Sequence, residues 1–298
     1  MGIEVVPNKI AYIAIKELHE EKGYPVHKLC KALKVSKSAY YKWLQRETPK
    51  NEALNQEIAE KIIDIHEMDD TMGYRRIKDY LDCRLNIKVS DNRILRLCRI
   101  LSIKSCIKYR PNGCTINDPD PKHIAENILN RDFTATEKNQ KWLTDVTEFK
   151  YYINGAKHKL YLSAILDLYG RRIVAYVISD RNDLKLVTDT LELALKREPS
   201  AHPILHSDRG FQYTSNKFNE MLKEYGITHS MSRVGHCIDN GPMEGFWGIL
   251  KRERYYRSKF ESRKSLVRTI NSYIFYYNNK RIQRGLGLQT PEEFAAAA

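Results

Sequence analysis

Apolar positions recur at helical spacing along the first hundred residues, then give way to strand-like runs after residue 140. Residues 8–22 place Ile10, Ile13, Ala14 and Leu18 on one predicted helical face, and Gly23-Tyr24-Pro25 stops that helix. Leu29, Leu33 and Val35 make a second, short apolar face. Ser36 stands where a cap is needed for a third helix carrying Tyr40, Trp43 and Leu44. Helix, tight turn and helix form a helix-turn-helix pattern, with Lys37, Ser38, Tyr41 and Lys42 near the start of the second helix, where DNA is met. A small helical bundle with a solvated basic face has the same pattern.

A polar break, ETPKN at 47–51, precedes a predicted helix over 52–66 with Ile58, Ile62, Ile63 and Ile65. MGYRRIKDYL follows, then a turn near Asn86, then VSDNRILRLCRILSI, capped by Ser90 or Asp91 with Ile94, Leu97 and Leu101 inward. This resembles a second helix-turn-helix. Arg93, Arg96 and Arg99 recur every third residue, either to grip phosphates or as a solvated face.

Residues 105–140 hold Pro111, Pro119 and Pro121 and predict an extended connector, basic at its start. From Lys141 the chain turns β-branched and aromatic. KWLTDVTEFKYYI and HKLYLSAILDLYG flank Asn154-Gly155, a strong hairpin signal. RRIVAYVIS reads as a third strand, 183–197 as a helix with Leu184, Val187, Leu191 and Leu195, PILHSD as a fourth strand, 215–225 as a helix and ITHSMS as a fifth strand. A helix starting at Pro242 closes the series. That order is the α/β ribonuclease-H-like one, a mixed five-stranded sheet with helices, here preceded by all-α domains. The expected boundaries are 1–48 and 52–104 for the two helical domains, 105–140 for the connector, 141–255 for the core and 256–298 for a basic helical tail.

Composition adds charge to this picture. The net charge of +13 is concentrated on the flanks, because acids and bases nearly balance over 121–251. Basic flanks suit a polyanion such as nucleic acid. No apolar run approaches the roughly 20 residues of a membrane span, and the N-terminus lacks a signal layout, so the expected location is cytoplasmic. The six cysteines include no C-x-x-C pair, which argues against a zinc module.

Three carboxylates carry the candidate chemistry. Asp145 lies inside a strand, Asp208 at the end of another, and Glu244 at a helix start. In the predicted order the first strand is central and beside the fourth, so Asp145 and Asp208 become neighbours, and the last helix brings Glu244 over them. Pro242 suits a first helical position, with Asp239 or Asn240 as cap. Such oxygen ligands are what Mg²⁺ prefers, and two ions about 3.5–4 Å apart can clamp an in-line phosphoryl displacement. Lys251 lies two helical turns after Glu244, as a phosphate contact or an ordinary surface lysine. Arg209 and Gln212, in the loop after Asp208, are candidate DNA contacts, as is Arg252. Because the glutamate rides on its own element, the helix bearing Glu244 is expected to be the least fixed part of the acid set without DNA.

WLTDVTEF, YLSAILDLYGRRIV, HSDRGFQY, SMSRVGHCIDNGPMEGFWGILKRE and YYNNKRIQRGLGLQTPEEF together resemble the DDE transposases of insertion-sequence family three, orf-B type, and more broadly the retroviral integrase core. PVHKLCKALKVSKSAYYKW and MGYRRIKDYL are similar to the same family. The 35 residues between Asp208 and Glu244 match its spacing. The resemblance implies Asp145, Asp208 and Glu244 as catalytic metal ligands, with two Mg²⁺ per site and Mn²⁺ as a substitute. It implies nicking at terminal inverted repeats, attack of the exposed 3′-hydroxyl on another phosphodiester, and a copy-out-paste-in route. It further implies terminal-repeat and target DNA as partners, a dimer or larger assembly on DNA at the bacterial nucleoid, and an orf-A product or fusion. Two departures are Gly245-Phe246-Trp247 after the glutamate and Gln283-Arg284 where a histidine is usual.

Other residues read as structural. Asp167 is expected at a turn or core edge, Asp239 as a cap, His206 and His229 as strand residues, Trp142 and Trp247 as core, and Tyr273, Tyr276 and Tyr277 as helix packing. Cys237 has no base and orienter beside it, so a nucleophile is not inferred.

Overall fold

The structure, a computed structural model, describes residues 8–45, 50–107, 124–233 and 237–297, and divides into units Met1–Cys106 and Ile107–Ala298. The break at 46–49, the proline-bearing start of the connector and the Cys237 side chain lie outside the described residues. Among the described residues no helix is long and apolar enough to cross a membrane.

In the first unit, α1 (Lys9–Lys22), α2 (Val26–Ala32) and α3 (Lys37–Leu44) enclose Tyr12, Ile15, Val26, Cys30 and Tyr40. The inward face of α1 is therefore not the expected one: Ile10 is 85% exposed, and Ile13 is exposed too. Aromatic packing decides this, since the Tyr12 ring lies 5.5 Å from Trp43 and 6.2 Å from Tyr40. Leu33 and Leu44 also point outward. Ser36 occupies the cap position but its hydroxyl pairs with Ser38 Oγ at 2.8 Å instead of capping. Lys37, Ser38, Tyr41 and Lys42 are all exposed on α3.

The next three helices are α4 (Lys50–Met68), α5 (Tyr74–Arg84) and α6 (Asp91–Ile100), packed through Ile58, Ile62, Ile65, Ile77, Leu81, Ile94 and Leu97. Ser90 caps α6 by accepting from the Arg93 amide. The arginine row is uneven. Arg93 donates to Asn55 Oδ1 at 2.7 Å and to the Asn51 carbonyl at 3.1 Å, tying α6 to α4, while Arg96 and Arg99 are exposed.

The second unit is built on β1 (Lys141–Ile153), β2 (Ala156–Asp167), β3 (Arg172–Ser179), β4 (Ile204–Ser207) and β5 (Thr228–Met231), in the order β3-β2-β1-β4-β5. Asn154 and Gly155 take φ of 48° and 81°, so the chain reverses in two residues and Ile153 pairs with Ala156. β1–β2 and β2–β3 are antiparallel, whereas β4 runs parallel to β1 and β5 parallel to β4. Alternation along β1 serves two cores. Trp142 packs with Val187, Leu191, Phe218 and Leu222 of α7 (Leu184–Arg197) and α8 (Asn216–Glu224). Leu143 and Phe149 pack on the other face, with Met243, Phe246, Trp247 and Leu250 of α9 (Gly241–Glu253).

The C-terminal residues are part of that second core rather than an appended tail. Helix α10 (Arg263–Asn279) contributes Leu266, Ile270, Tyr273, Ile274 and Tyr277, and α11 (Pro291–Ala296) closes with a Thr290–Glu293 capping box. Glu253, buried at the end of α9, accepts from Arg281 and from the Tyr273 hydroxyl, each at 2.9 Å. Arg281→Ala removes that guanidinium from a buried carboxylate. The expected loss is about 3–5 kcal/mol, read as a lower urea midpoint. Residues 124–140 hold no helix or strand but pack beside β5: the Leu129 amide donates to Ser230 Oγ at 3.0 Å, and the Met231 amide to the Glu126 carbonyl at 3.2 Å.

Candidate active site

The parallel register sets the site. Leu143 pairs with His206, so two residues further on Asp145 and Asp208 come abreast on β1 and just beyond β4. Asp145 shares the face of Leu143 and Phe149, the one that α9 covers. Its carboxylate accepts the Val146 amide at 2.8 Å and the Trp247 indole N–H at 2.9 Å. Asp208 accepts the Gly210 amide at 2.9 Å. Asn240, at the start of α9, donates to the Thr144 carbonyl at 3.1 Å and anchors the helix beside Asp145.

Burial, then the Asp208 charge and more weakly Glu244, push the Asp145 carboxyl up to about 8. Burial also raises Asp208, and burial with Asp208 raises Glu244. Tyr213 lies behind the pair, its hydroxyl 3.2 Å from Thr144 Oγ1, and burial with Asp145 and Asp208 holds it protonated. Lys251 supplies countercharge: burial lowers its amine, Asp145 and Glu148 pull it back, and Nζ rests 5.3 Å from the Phe149 ring. It is not an ordinary surface lysine.

Glu244 stands apart. It is exposed on α9 while Met243, Phe246, Trp247 and Leu250 are buried. Among the described residues no three His, Cys, Asp or Glu side chains are gathered closely enough to hold an ion as they stand. The donor chemistry nevertheless fits a hard divalent cation. Burial, with the Asp208 charge adding to it at Asp145, favours the protonated form of these carboxyls, and a bound cation would offset that cost of keeping them ionised.

Several expected contacts fall elsewhere. Gln212 is only 4% exposed and its amide is turned onto Asn182, so it does not face DNA. Arg209 is half-buried, with Nε donating to the Ser232 carbonyl at 2.8 Å. Arg252 is half-buried along Gly248. Asp239 is neither a cap nor a ligand: Arg233 first, then Arg131, hold its carboxyl well below the usual range. Asp167 is a turn acid, accepting the Asn139 and Tyr169 amides. His206 is buried between Ser230 and Ser232 and burial lowers it to about 4, while His229 pairs with Asn219 and Ser207. Trp142 is a core residue, and Tyr273 and Tyr277 pack as expected.

Trp247 is a core residue as expected, yet it also positions Asp145. Its indole N–H, beside its larger ring, distinguishes it from a phenylalanine. Trp247→Phe keeps an aromatic ring in the core, though a smaller one, and removes the hydrogen bond to Asp145, worth about 1.5–3 kcal/mol when that carboxyl is ionised. For the Mg²⁺-dependent DNA processing that the resemblance implies, the expected result is a roughly tenfold or greater fall in rate, with a higher Mg²⁺ concentration for half-maximal rate. An unchanged Mg²⁺ requirement would show the bond to be idle.

A mixed sheet of this order, with acids at adjoining strand ends and a helical DNA-binding-type unit before it, defines an integrase-type catalytic core. The integrase core domain family matches residues 135–237 and again 244–297, and the HTH-like domain family matches 53–111. The chain is 37% identical over 276 residues to the putative transposase InsK for insertion sequence element IS150 of Escherichia coli, covering 91% of this chain and 93% of that one. It is 30% identical to transposase InsF for insertion sequence IS3A of Escherichia coli, over 95% of this chain and 97% of that one. The HTLV-2 integrase catalytic core domain, solved in complex with magnesium, matches at 20% identity and a TM-score of 0.43, covering 54% of this chain and 98% of that one. The chain belongs to the insertion-sequence transposases of family three.

Proposed function

We propose that this transposase cleaves and joins DNA strands at the terminal inverted repeats of its element, with Asp145, Asp208 and Glu244 as the acid set. The observation that carries this is the placing of Asp145 on β1 and of Asp208 just beyond the parallel β4, each two positions past the Leu143–His206 pair, with each carboxyl raised by burial and Asp145 further by Asp208. Those three residues would hold Mg²⁺, two ions per site, with Mn²⁺ as a substitute. When bound, the ions supply charge neutralisation at the scissile phosphate and lower the pKa of the attacking hydroxyl. Trp247 and the Val146 amide hold the Asp145 carboxylate in one orientation, and the Gly210 amide does so for Asp208. Glu244, exposed on α9, completes the set when its side chain turns toward the pair.

In the first reaction water attacks the phosphorus and the 3′-oxygen leaves with a proton. In the second that 3′-hydroxyl attacks another phosphodiester and displaces its 3′-oxygen. Lys251 and Arg209 lie beside the acids to meet the strand, with Arg252 further along α9. Lys37, Ser38, Tyr41 and Lys42, and on the second helical module Arg96 and Arg99, meet the repeat. The copy-out-paste-in route, a dimer on two ends and a requirement for an orf-A segment belong to the same reading.

The test is incubation with duplex carrying the element's ends and Mg²⁺, followed by denaturing electrophoresis. Joined strands support strand transfer. Hydrolysis without joining in every condition, including with orf-A product added, would reassign the chain to a nuclease.

A further inference from the structure

Asp239 is fully buried and collects five hydrogen bonds. Arg131 Nε donates at 2.6 Å and Asn127 Nδ2 at 3.1 Å, both from the segment before β1. Arg233 donates through its backbone amide at 3.0 Å and through Nε and one terminal nitrogen, each at 2.9 Å. One guanidinium would satisfy this carboxylate. A second is brought to it, and a third, Arg209, is tied one residue away through the Ser232 carbonyl.

Each arginine is held by one edge and open at the other. Among the described residues, both terminal nitrogens of Arg131 and of Arg209, and one of Arg233, have no hydrogen-bond partner. The side chains of Arg131 and Arg233 remain 40% and 44% exposed. Two guanidinium charges meet one carboxylate, a third is bonded beside them through the Ser232 carbonyl, and burial keeps the neighbouring His206 neutral. Backbone strain is spent here as well. Asn130 and Arg131 take φ of 43° and 63°, a left-handed pair without glycine, and that turn delivers Arg131 to Asp239. The cluster adjoins the acids: Arg209 follows Asp208, and Asn240 beside Asp239 is bonded to the Thr144 carbonyl next to Asp145.

We propose that Arg131, Arg209 and Arg233, oriented by Asp239 and Ser232, form a phosphodiester-binding site that holds the DNA backbone beside the Asp145–Asp208 pair. A guanidinium fixed along one edge presents its remaining N–H groups in the planar fork that matches phosphate oxygens, and loses little side-chain freedom on binding. The inference rests on the DNA-processing reading only for the identity of its ligand.

The measurement is binding of the full chain to a fluorescein-labelled duplex, followed by anisotropy across a KCl series without divalent ions. Removing one cation that neutralises a phosphate lowers the slope of log K against log[salt] by about 0.9, so Arg131→Gln/Arg233→Gln is expected to lower it by about 1.8. Arg131→Lys/Arg233→Lys keeps both charges and most of the slope. Asp239→Asn disturbs the same internal bonds but keeps both cations, so its slope does not fall. If the double glutamine variant melts below the assay temperature, Arg131→Gln alone, expected at about 0.9, decides the matter. A wild-type slope in the folded glutamine variant overturns the proposal. So does an equal fall in Asp239→Asn, which would assign the effect to lost structure. Cleavage plays no part in this readout, so an inactive enzyme with the expected slopes would sink the catalytic reading and leave the phosphate site standing.

Discussion

Asp208→Asn is expected to lower strand cleavage and joining by at least about 10³-fold while duplex binding survives. The substitution is nearly isosteric and keeps an oxygen for the Gly210 amide, so the loop after β4 retains its anchor. What it removes is one of two abutting negative charges. On the proposed role as a metal ligand, several kcal/mol of transition-state stabilisation go with that charge. Asp208 lies outside the helical modules proposed to meet the repeat, so duplex binding is expected to remain. The check is cleavage and strand-transfer yield beside a gel-shift on the same protein. Near-normal processing by Asp208→Asn or Asp145→Asn would remove both residues from the catalytic set.

The burial of Asp145 beside Asp208 predicts a second effect, on stability. Unfolded, Asp145 titrates near the usual aspartate value, and in the fold it is pushed up to about 8 by burial, Asp208 and Glu244. Between those values the folded state holds a proton that the unfolded chain has lost. Stability from this group is therefore complete at low pH and is lost as pH rises through about 8. His206 works the other way below its unfolded value near 6.5, because burial has lowered it to about 4 and it must enter the fold neutral. Asp239 is depressed and matters only in acid. The window in which Asp145 acts unopposed by these two is about pH 6.5–8. In EDTA the melting temperature is expected to fall across that window by an amount on the order of 1–2 kcal/mol, or roughly 2–6 °C. Mg²⁺ should abolish the fall and stabilise most at the alkaline end, since an ion takes the place of the proton. Asp145→Asn should flatten the profile in EDTA. A profile unaffected by either change would mean that the two acids do not share a site.

The site and the fold are legible in the chain to different depths. The elements follow from local signals, namely the Asn154-Gly155 reversal, the strand-like runs and the helices between β3, β4 and β5, while the strand order leans on the three acids as well. With β1 central and β4 parallel to it, the Leu143–His206 register brings Asp145 and Asp208 abreast, and spacing alone does not fix that register. Glu244 can be placed on its helix by Gly241-Pro242, but its distance from the pair cannot.

Partner choice across long separations is decided by tertiary structure. Trp247 and Asp145 are 102 positions apart, and their bond exists because α9 buries Met243, Phe246 and Leu250 on the face that Asp145 shares. Arg131 meets Asp239 across 108 positions, although its segment has no periodicity of its own. Gln212 turns inward and Arg93 reaches back to α4 because each finds an amide partner that spacing does not reveal. Ile10 and Ile13 yield the inward face of α1 to Tyr12 for the same reason: the aromatic partners Tyr40 and Trp43 lie on another helix. Periodicity and turn chemistry act over a few residues and are written into the sequence. Which side chain satisfies a buried carboxylate depends on where packed helices come to rest, and only the assembled core determines that.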